Sequence, residues 1–184
     1  MNVMLQHKQN DDIGGVPSNR GYQDQVGFTL IELMVVIFIL SIIAAVGIPS
    51  YQDQVRKGVA SSAEQEMQKI AEQLERYKAK NFTYRKFDPN YIYSTDANAP
   101  SLTEIILPLN ATGSAIKYKI TIRDLQDTTK PLTDSSAAGR GWSIQALAVN
   151  DPKNYNFLMT SQGLRCKNTS NITYTSCGSN SSAW

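Results

Sequence analysis

The sequence predicts an α+β fold in which one long, kinked N-terminal helix packs on a small antiparallel β-sheet. Three observations support this fold class. An apolar run at residues 28–48 continues past a proline into an amphipathic helical pattern. A strictly alternating segment at 116–123 is followed by further short apolar segments. Two cysteines, Cys166 and Cys177, lie close together near the end of the 184-residue chain.

The first 27 residues are polar, contain glycines and a proline, and show no hydrophobic period, so we expect them to be disordered. They hold His7, the one histidine of the chain. The remainder therefore offers no Ser/His/Asp or Cys/His arrangement and no histidine-ligated metal site. It also lacks a glycine-rich phosphate loop and carboxylates paired at a recognisable spacing. The sequence thus favours a protein that is not an enzyme and needs no cofactor or metal.

The run from 28 to 48 (FTLIELMVVIFILSIIAAVGI) is 21 residues long, about what an α-helix needs to cross a bilayer. The alternative is a cleaved secretory signal, since Ala44, Ala45 and Gly47 could imitate its cleavage site. That alternative is weaker because the apolar run is too long and the preceding segment is neither short nor basic. We therefore predict a membrane-spanning half-helix at 28–50 and a globular head at 51–184.

Pro49 follows the apolar run. A proline inside a helix removes one backbone hydrogen bond and kinks the axis, yet the helical pattern resumes after Pro49. Gly47 loosens the same turn. We therefore expect one helix from about Phe28 to Lys80, roughly 80 Å long and kinked near Gly47 and Pro49. Apolar side chains spaced three or four residues apart form one stripe of its second half: Val55, Val59, Ala63, Met67, Ile70, Leu74 and Tyr77.

Four segments complete the predicted fold. A Ser-x-x-Glu spacing at 101–104 predicts a short helix to about Leu107, within a segment that is otherwise loop. The alternation at 116–123 predicts a strand, followed by strands at 142–149 and 156–160 and by a short fourth strand beginning at 163–166. Short links between consecutive strands predict an antiparallel meander covered by the helix stripe. The polar tail is expected to be ordered mainly by a disulfide between its cysteines, which fits an exported protein; two free buried thiols are the alternative.

Glu32 is the one charged residue of the apolar run. On one interpretation its side chain simply reaches toward the membrane surface. On the other it pairs with a cation, and the chain has no Lys, Arg or His between Phe28 and Tyr51. Cleavage after Gly27 would create such a cation at the α-amino group of Phe28. An intermolecular pair between that amine and Glu32 would select one register between neighbouring helices.

The segment Gly27-Phe-Thr-Leu-Ile-Glu-Leu-Met, with Gly47-Ile-Pro-Ser-Tyr51 after the apolar run, resembles the type IV pilin signature. The resemblance is specific over about 27–80 and looser down to the cysteine pair. Residues 75–84, Leu107-Pro-Leu109 and the closing segment 177–184 most resemble the PilE-like minor pilins. The fold that this implies is the type IV pilin fold.

The resemblance implies that a prepilin peptidase removes residues 1–27 as a leader, cutting between Gly27 and Phe28, and N-methylates Phe28. Glu32 would align subunits, and the Cys166–Cys177 disulfide would close the C-terminal region. The implied partners are membrane lipid and an inner-membrane assembly platform before assembly, and other pilin subunits in an extracellular filament afterwards. Such pili serve twitching motility, adhesion or DNA uptake.

Two other functions stay open. A type II secretion pseudopilin shares the N-terminal helix, but many carry a C-terminal calcium site, and no Asp or Glu follows Lys153 here. A DNA-binding competence pilin is the second, with Lys117, Lys119 and Arg123 on one face of the predicted strand. A net charge of +2 is too small to indicate nucleic acid by itself, and a solvated strand face is the commoner explanation of such residues.

Overall fold

A computed structural model describes residues 27–94, 96 and 99–184. The expectations for the leader segment 1–26, including His7, lie outside the described residues. The chain divides into two compact units, Met1–Ala44 and Ala45–Trp184. The boundary falls within one helix, and each unit is described separately below.

Helix α1 spans Leu30–Asn81, close to the predicted bounds. It begins at Leu30 because Thr29 acts as its N-cap: the Thr29 hydroxyl oxygen accepts a hydrogen bond from the Glu32 backbone N–H at 3.2 Å. In the first unit its residues are exposed throughout. Among the described residues α1 is the one helix long and apolar enough to cross a membrane.

The second half of α1 packs on the sheet through the predicted stripe. Ala63, Met67, Ile70 and Leu74 are fully buried, and Val59 and Tyr77 are partly buried. Val55 departs from the prediction because it is 47% exposed, and the first fully buried residue of the stripe is Ala63.

The sheet has five antiparallel strands in the order β1-β2-β3-β4-β5, which is the predicted meander with one extra strand. The strands are β1 Ile105–Leu107, β2 Tyr118–Asp124, β3 Trp142–Ala148, β4 Asn156–Thr160 and β5 Arg165–Asn168. The α+β fold class and the four predicted strands are confirmed. A short helix α2, Asn90–Tyr93, lies in the segment predicted as loop.

The predicted helix at 101–107 is wrong, because Ile105–Leu107 forms strand β1. Ile105 pairs with Ile120, and Leu107 pairs with Tyr118. Glu104, which the capping-box interpretation assigned to a helix start, instead forms an ion pair with Lys119 at 3.0 Å. As a strand, residues 105–107 form hydrogen bonds with the edge of β2 and bury Ile105 and Leu107. These gains exceed what the local capping signal offers a helix.

The two faces of the sheet are covered by different parts of the chain. Side chains on one face, including Tyr118, Ile144 and Phe157, belong to the main core with α1. Burial raises the pKa of the Tyr118 hydroxyl, which donates a hydrogen bond to the Tyr155 carbonyl at 2.6 Å. On the other face Leu158 and Ile172 pack with the cysteines in a second cluster.

The C-terminal tail is held by more than its disulfide. The Gln145 side-chain amide donates to the Ile172 carbonyl at 2.8 Å, and the Ser143 hydroxyl donates to the Tyr174 carbonyl at 2.5 Å. The expectation that the disulfide is its main ordering element is therefore incomplete. These polar residues of β3 lie under the tail, so they anchor it by side-chain to backbone bonds.

Candidate functional site

The predicted assembly residues lie at the start of α1. Gly27 and Phe28 precede the helix, and Glu32 lies in its first turn, where the partial positive charge of the helix N-terminus favours a carboxylate. Thr29, which the sequence analysis did not single out, caps this turn. Within the described residues the Glu32 carboxylate makes no hydrogen bond or ion pair. It is therefore available to a cation from outside the chain.

Gly47 and Pro49 lie inside the continuous α1. Proline has no N–H, so the Ala45 carbonyl lacks its intrahelical partner. Nothing lies within 4 Å of where a Cβ on Gly47 would stand. This turn of α1 therefore lacks one hydrogen bond, and no packing contact at Gly47 stiffens it. Both features favour a kink, which stays a prediction.

The C-terminal region is closed by a disulfide between Cys166, in β5, and Cys177. Buried Asn168 supports the same loop, because its side-chain amide donates to the Cys177 carbonyl at 2.7 Å and to the Ser179 carbonyl at 2.8 Å. Sequence reasoning missed Asn168, since one asparagine in an Asn-rich tail carries no distinguishing signal.

Replacing both cysteines with serine is expected to loosen the tail while the sheet stays folded. The cysteines are only 11 positions apart, so losing the constraint on the unfolded chain is expected to cost about 2–3 kcal/mol of stability. Hydrogen exchange read by mass spectrometry should speed up across 169–181 and stay unchanged in β3. Equal acceleration in β3 would show that the disulfide supports the whole head, against this prediction.

The strand face that the sequence offered for DNA is largely engaged within the protein. Lys119 pairs with Glu104. The Arg123 guanidinium donates to the Thr129 carbonyl at 3.2 Å and lies 5.9 Å from the centre of the Tyr174 ring. Of the three predicted cations only Lys117 is exposed without such a contact among the described residues.

A different basic region lies at the β5 edge of the sheet. We define the β5-edge cluster as Lys57, Lys153, Arg165 and Lys167. None of the four forms an ion pair within the described residues, and the positions after Asp151 contain no Asp or Glu. Sequence reasoning used that absence only to argue against calcium. The cluster was missed because folding is needed to bring Lys57, in α1, beside Lys153 and Lys167.

Aromatic rings are interleaved with these cations. The Lys167 ammonium lies 5.1 Å from the centre of the Tyr155 ring, and the Arg165 guanidinium lies 6.0 Å from the centre of the Trp184 ring. Lys57, Lys153, Tyr155 and Lys167 line one open groove of about 520 Å³. Asp53 and Glu64 line it too, and Arg56 is held by Asp53 and Asp151 at 2.6 and 2.9 Å. The groove is therefore moderately basic, which suits the phosphate backbone of a polyanion.

Comparison with known proteins covers both halves of the chain. Residues 49–181 match the family model described as "Type IV minor pilin ComP, DNA uptake sequence receptor", and residues 25–48 match the prokaryotic N-terminal methylation motif. No solved structure matches the chain.

Individual relatives match mainly at the N-terminal helix. The chain is 56% identical to fimbrial protein EcpC of Eikenella corrodens over 41 residues, which are 22% of this chain and 27% of the relative. It is 40% identical to type II secretion system core protein G of Pseudomonas aeruginosa over 62 residues (34% and 44%). It is 56% identical to the type IV major pilin PilE of Neisseria gonorrhoeae over 39 residues (21% and 23%). The chain thus spans less than half the length of each.

The helix match is shared by pilins and a secretion protein, so it does not separate these classes. The model matched over 49–181 does separate them, because it covers most of the chain, including the sheet and the disulfide loop. Together with the methylation motif and the helix-on-meander fold, it shows that this chain belongs to the type IV minor pilins of the ComP family.

Proposed function

We propose that the chain is a minor structural subunit of a type IV pilus that also serves as a DNA receptor on the filament. The β5-edge cluster is the observation that carries the receptor function. Its four cations form no ion pair among the described residues, and two of them, Lys167 and Arg165, lie over the Tyr155 and Trp184 rings. The description of the matched family supports DNA as the ligand. The proposed receptor function does not need Lys119 and Arg123, which already have partners within the protein.

The N-terminal half is proposed to work as follows. Prepilin peptidase removes residues 1–27 and methylates Phe28, and residues 28–50 anchor the chain in the inner membrane. The assembly platform then moves the subunit into the filament, where Glu32 pairs with the Phe28 amine of a neighbour. Residues 51–184 remain outside as the head. Two observations support these steps: the methylation-motif match, and the Glu32 carboxylate, which has no partner among the described residues.

DNA binding is tested with the full chain in zwitterionic detergent and a short labelled duplex. Each phosphate-contacting lysine contributes about one unit to the slope of log affinity against log salt. We therefore expect Lys153→Gln with Lys167→Gln to lower the slope by about two units. The matched control, Lys69→Gln with Lys130→Gln, removes the same charge from lysines already paired with Glu66 and Asp127.

An equal effect in the two double variants would mean that net charge alone attracts DNA, against a site at the β5 edge. No measurable binding by the unaltered chain would reject the receptor function. Neither result would touch the proposed role in the filament, which is tested separately by the presence of the chain in sheared pili.

A further inference from the structure

The C-terminal end of α1 displays an aromatic ring on an unfavourable backbone conformation. Phe82 follows the last helical residue with a φ of +59°, and 91% of its surface is exposed. Its N–H still donates to the Lys78 carbonyl at 2.7 Å, as in a left-handed helix cap. Helices usually place glycine or asparagine there, because a bulky side chain in this conformation is strained. Neither stability nor solubility explains a phenylalanine at this position.

Basic residues lie close to Phe82 in the sequence and on the loop that is bonded to residues 83–85. We define the Phe82 patch as Phe82 with four exposed basic residues: Lys80, Arg85, Lys86 and Arg140. Arg140 comes from the loop before β3, which is held here by three hydrogen bonds. The Gly139 carbonyl accepts from the Tyr84 N–H at 2.9 Å and from the Thr83 hydroxyl at 3.0 Å, and the Ala138 carbonyl accepts from the Arg85 guanidinium at 3.4 Å.

Within the described part of the chain, the charge of this patch is not balanced by ion pairs. None of its four cations forms an ion pair among the described residues, and no Asp or Glu lies between Glu75 and Asp88. The two carboxylates that flank this stretch have other partners. Asp88, two residues after Lys86, accepts from the Asn90 N–H at 2.8 Å and the Leu102 N–H at 3.2 Å. Glu75 accepts from the Tyr84 hydroxyl at 2.8 Å and the Trp142 indole N–H at 3.1 Å. The patch is therefore complementary to an anion that also has a flat, apolar surface on which the Phe82 ring can stack.

Single-stranded DNA has both features. In a duplex the bases are stacked and present only their edges, whereas an unpaired base can stack on an aromatic side chain while its phosphates contact cations. An acidic peptide would neutralise the cations but gives no reason for the exposed ring. We propose that the Phe82 patch binds single-stranded DNA, with one base stacked on Phe82 and the flanking phosphates on its basic residues. This deepens the proposed function and rests on DNA being the ligand.

The test measures the affinity of the full chain in zwitterionic detergent for a short labelled oligothymidine at low salt. Phe82→Asn should bind about tenfold more weakly, since stacking of one base contributes on that scale. Its thermal midpoint should be unchanged or higher, because asparagine tolerates the left-handed conformation. Phe82→Trp should keep the affinity. Tyr51→Ala, which removes another exposed ring roughly 45 Å away along α1, is the matched control and should bind normally.

Unchanged affinity of Phe82→Asn for the single strand would overturn the proposal, and so would an equal loss in Tyr51→Ala. Normal DNA affinity with loss of Phe82→Asn from filaments would also overturn it, because the patch would then be a contact between subunits. A relaxed circular duplex, which has no ends and no unpaired loop, separates the two sites: its binding should depend on Lys153 and Lys167 but not on Phe82. If the circular duplex binds and the single strand does not, only the Phe82 proposal fails.

Discussion

Glu32→Ala is expected to remove the chain from surface filaments almost completely while leaving it in the membrane. In the proposed filament the carboxylate and the Phe28 amine of a neighbour form a pair among apolar half-helices. Deleting one member leaves the other charge unpaired in surroundings that cannot solvate it. That costs about 3–5 kcal/mol, on the order of a hundredfold or more in the equilibrium for adding a subunit.

The measurement is the amount and N-terminal sequence of the chain in sheared filaments and in membranes. We expect the unaltered chain to start at methylated Phe28 in both fractions, and Glu32→Ala to start there but only in membranes. Glu32→Gln separates charge from shape, because it keeps the side-chain length and should fail as the alanine variant does.

Ser41→Ala is the matched control on the same helix. It removes a polar group that donates only to the Phe38 carbonyl, at 2.7 Å within α1, so incorporation should be normal. Wild-type amounts of Glu32→Ala in sheared filaments would reject the pairing. A chain that keeps residues 1–27, or that starts after Ala45 or Gly47, would reject processing at Gly27.

Elements with a strong internal period were predictable from the sequence. Ala63, Met67, Ile70 and Leu74 follow the helical repeat and all are buried; Tyr118, Ile120 and Ile122 follow the strand repeat and all face the core. Each pattern arises because one face of the element is buried and the other meets water. It can therefore be recognised in the sequence without knowing which element covers the buried face. The helix at 101–107 was predicted from a Ser-x-x-Glu spacing instead and was wrong. The three residues of β1 are too few to show a period, and pairing with β2 decided their structure.

The site was less predictable because its residues are brought together only by folding. Lys57 and Lys167 lie far apart in sequence, and neither is unusual where it stands. Phe82 was visible as an aromatic residue among basic ones, but its exposure follows from where α1 ends. Asp124 closes an alternating strand, yet it is fully buried, where its carboxylate accepts from the Gln126 and Gly139 N–H groups, both at 3.0 Å.

Gly139 is the position in residues 51–184 where adding one methyl group is expected to lower the free energy of unfolding most. Its φ is +66°, and an added Cβ would lie 2.6 Å from both the Arg85 backbone nitrogen and the Thr83 hydroxyl oxygen. Its N–H is held by buried Asp124, and its carbonyl by the loop that carries the Phe82 patch. These bonds stop the backbone from moving aside. We therefore expect Gly139→Ala to combine left-handed strain with steric overlap and to lose about 3 kcal/mol.

Thermal unfolding of the full chain in detergent, followed by tryptophan fluorescence, measures this loss, and a midpoint about 10 °C lower is expected for a unit of this size. Gly113→Ala is the matched control, because its φ is +57° and nothing lies within 4 Å of its added Cβ. It carries the conformational penalty without the overlap and should lose about 1 kcal/mol. The difference between the two variants isolates the contact between the Gly139 loop and residues 83–85. If both lose the same stability, that contact is not tight, and the loop does not hold Arg140 beside Phe82 as the proposed single-strand site requires.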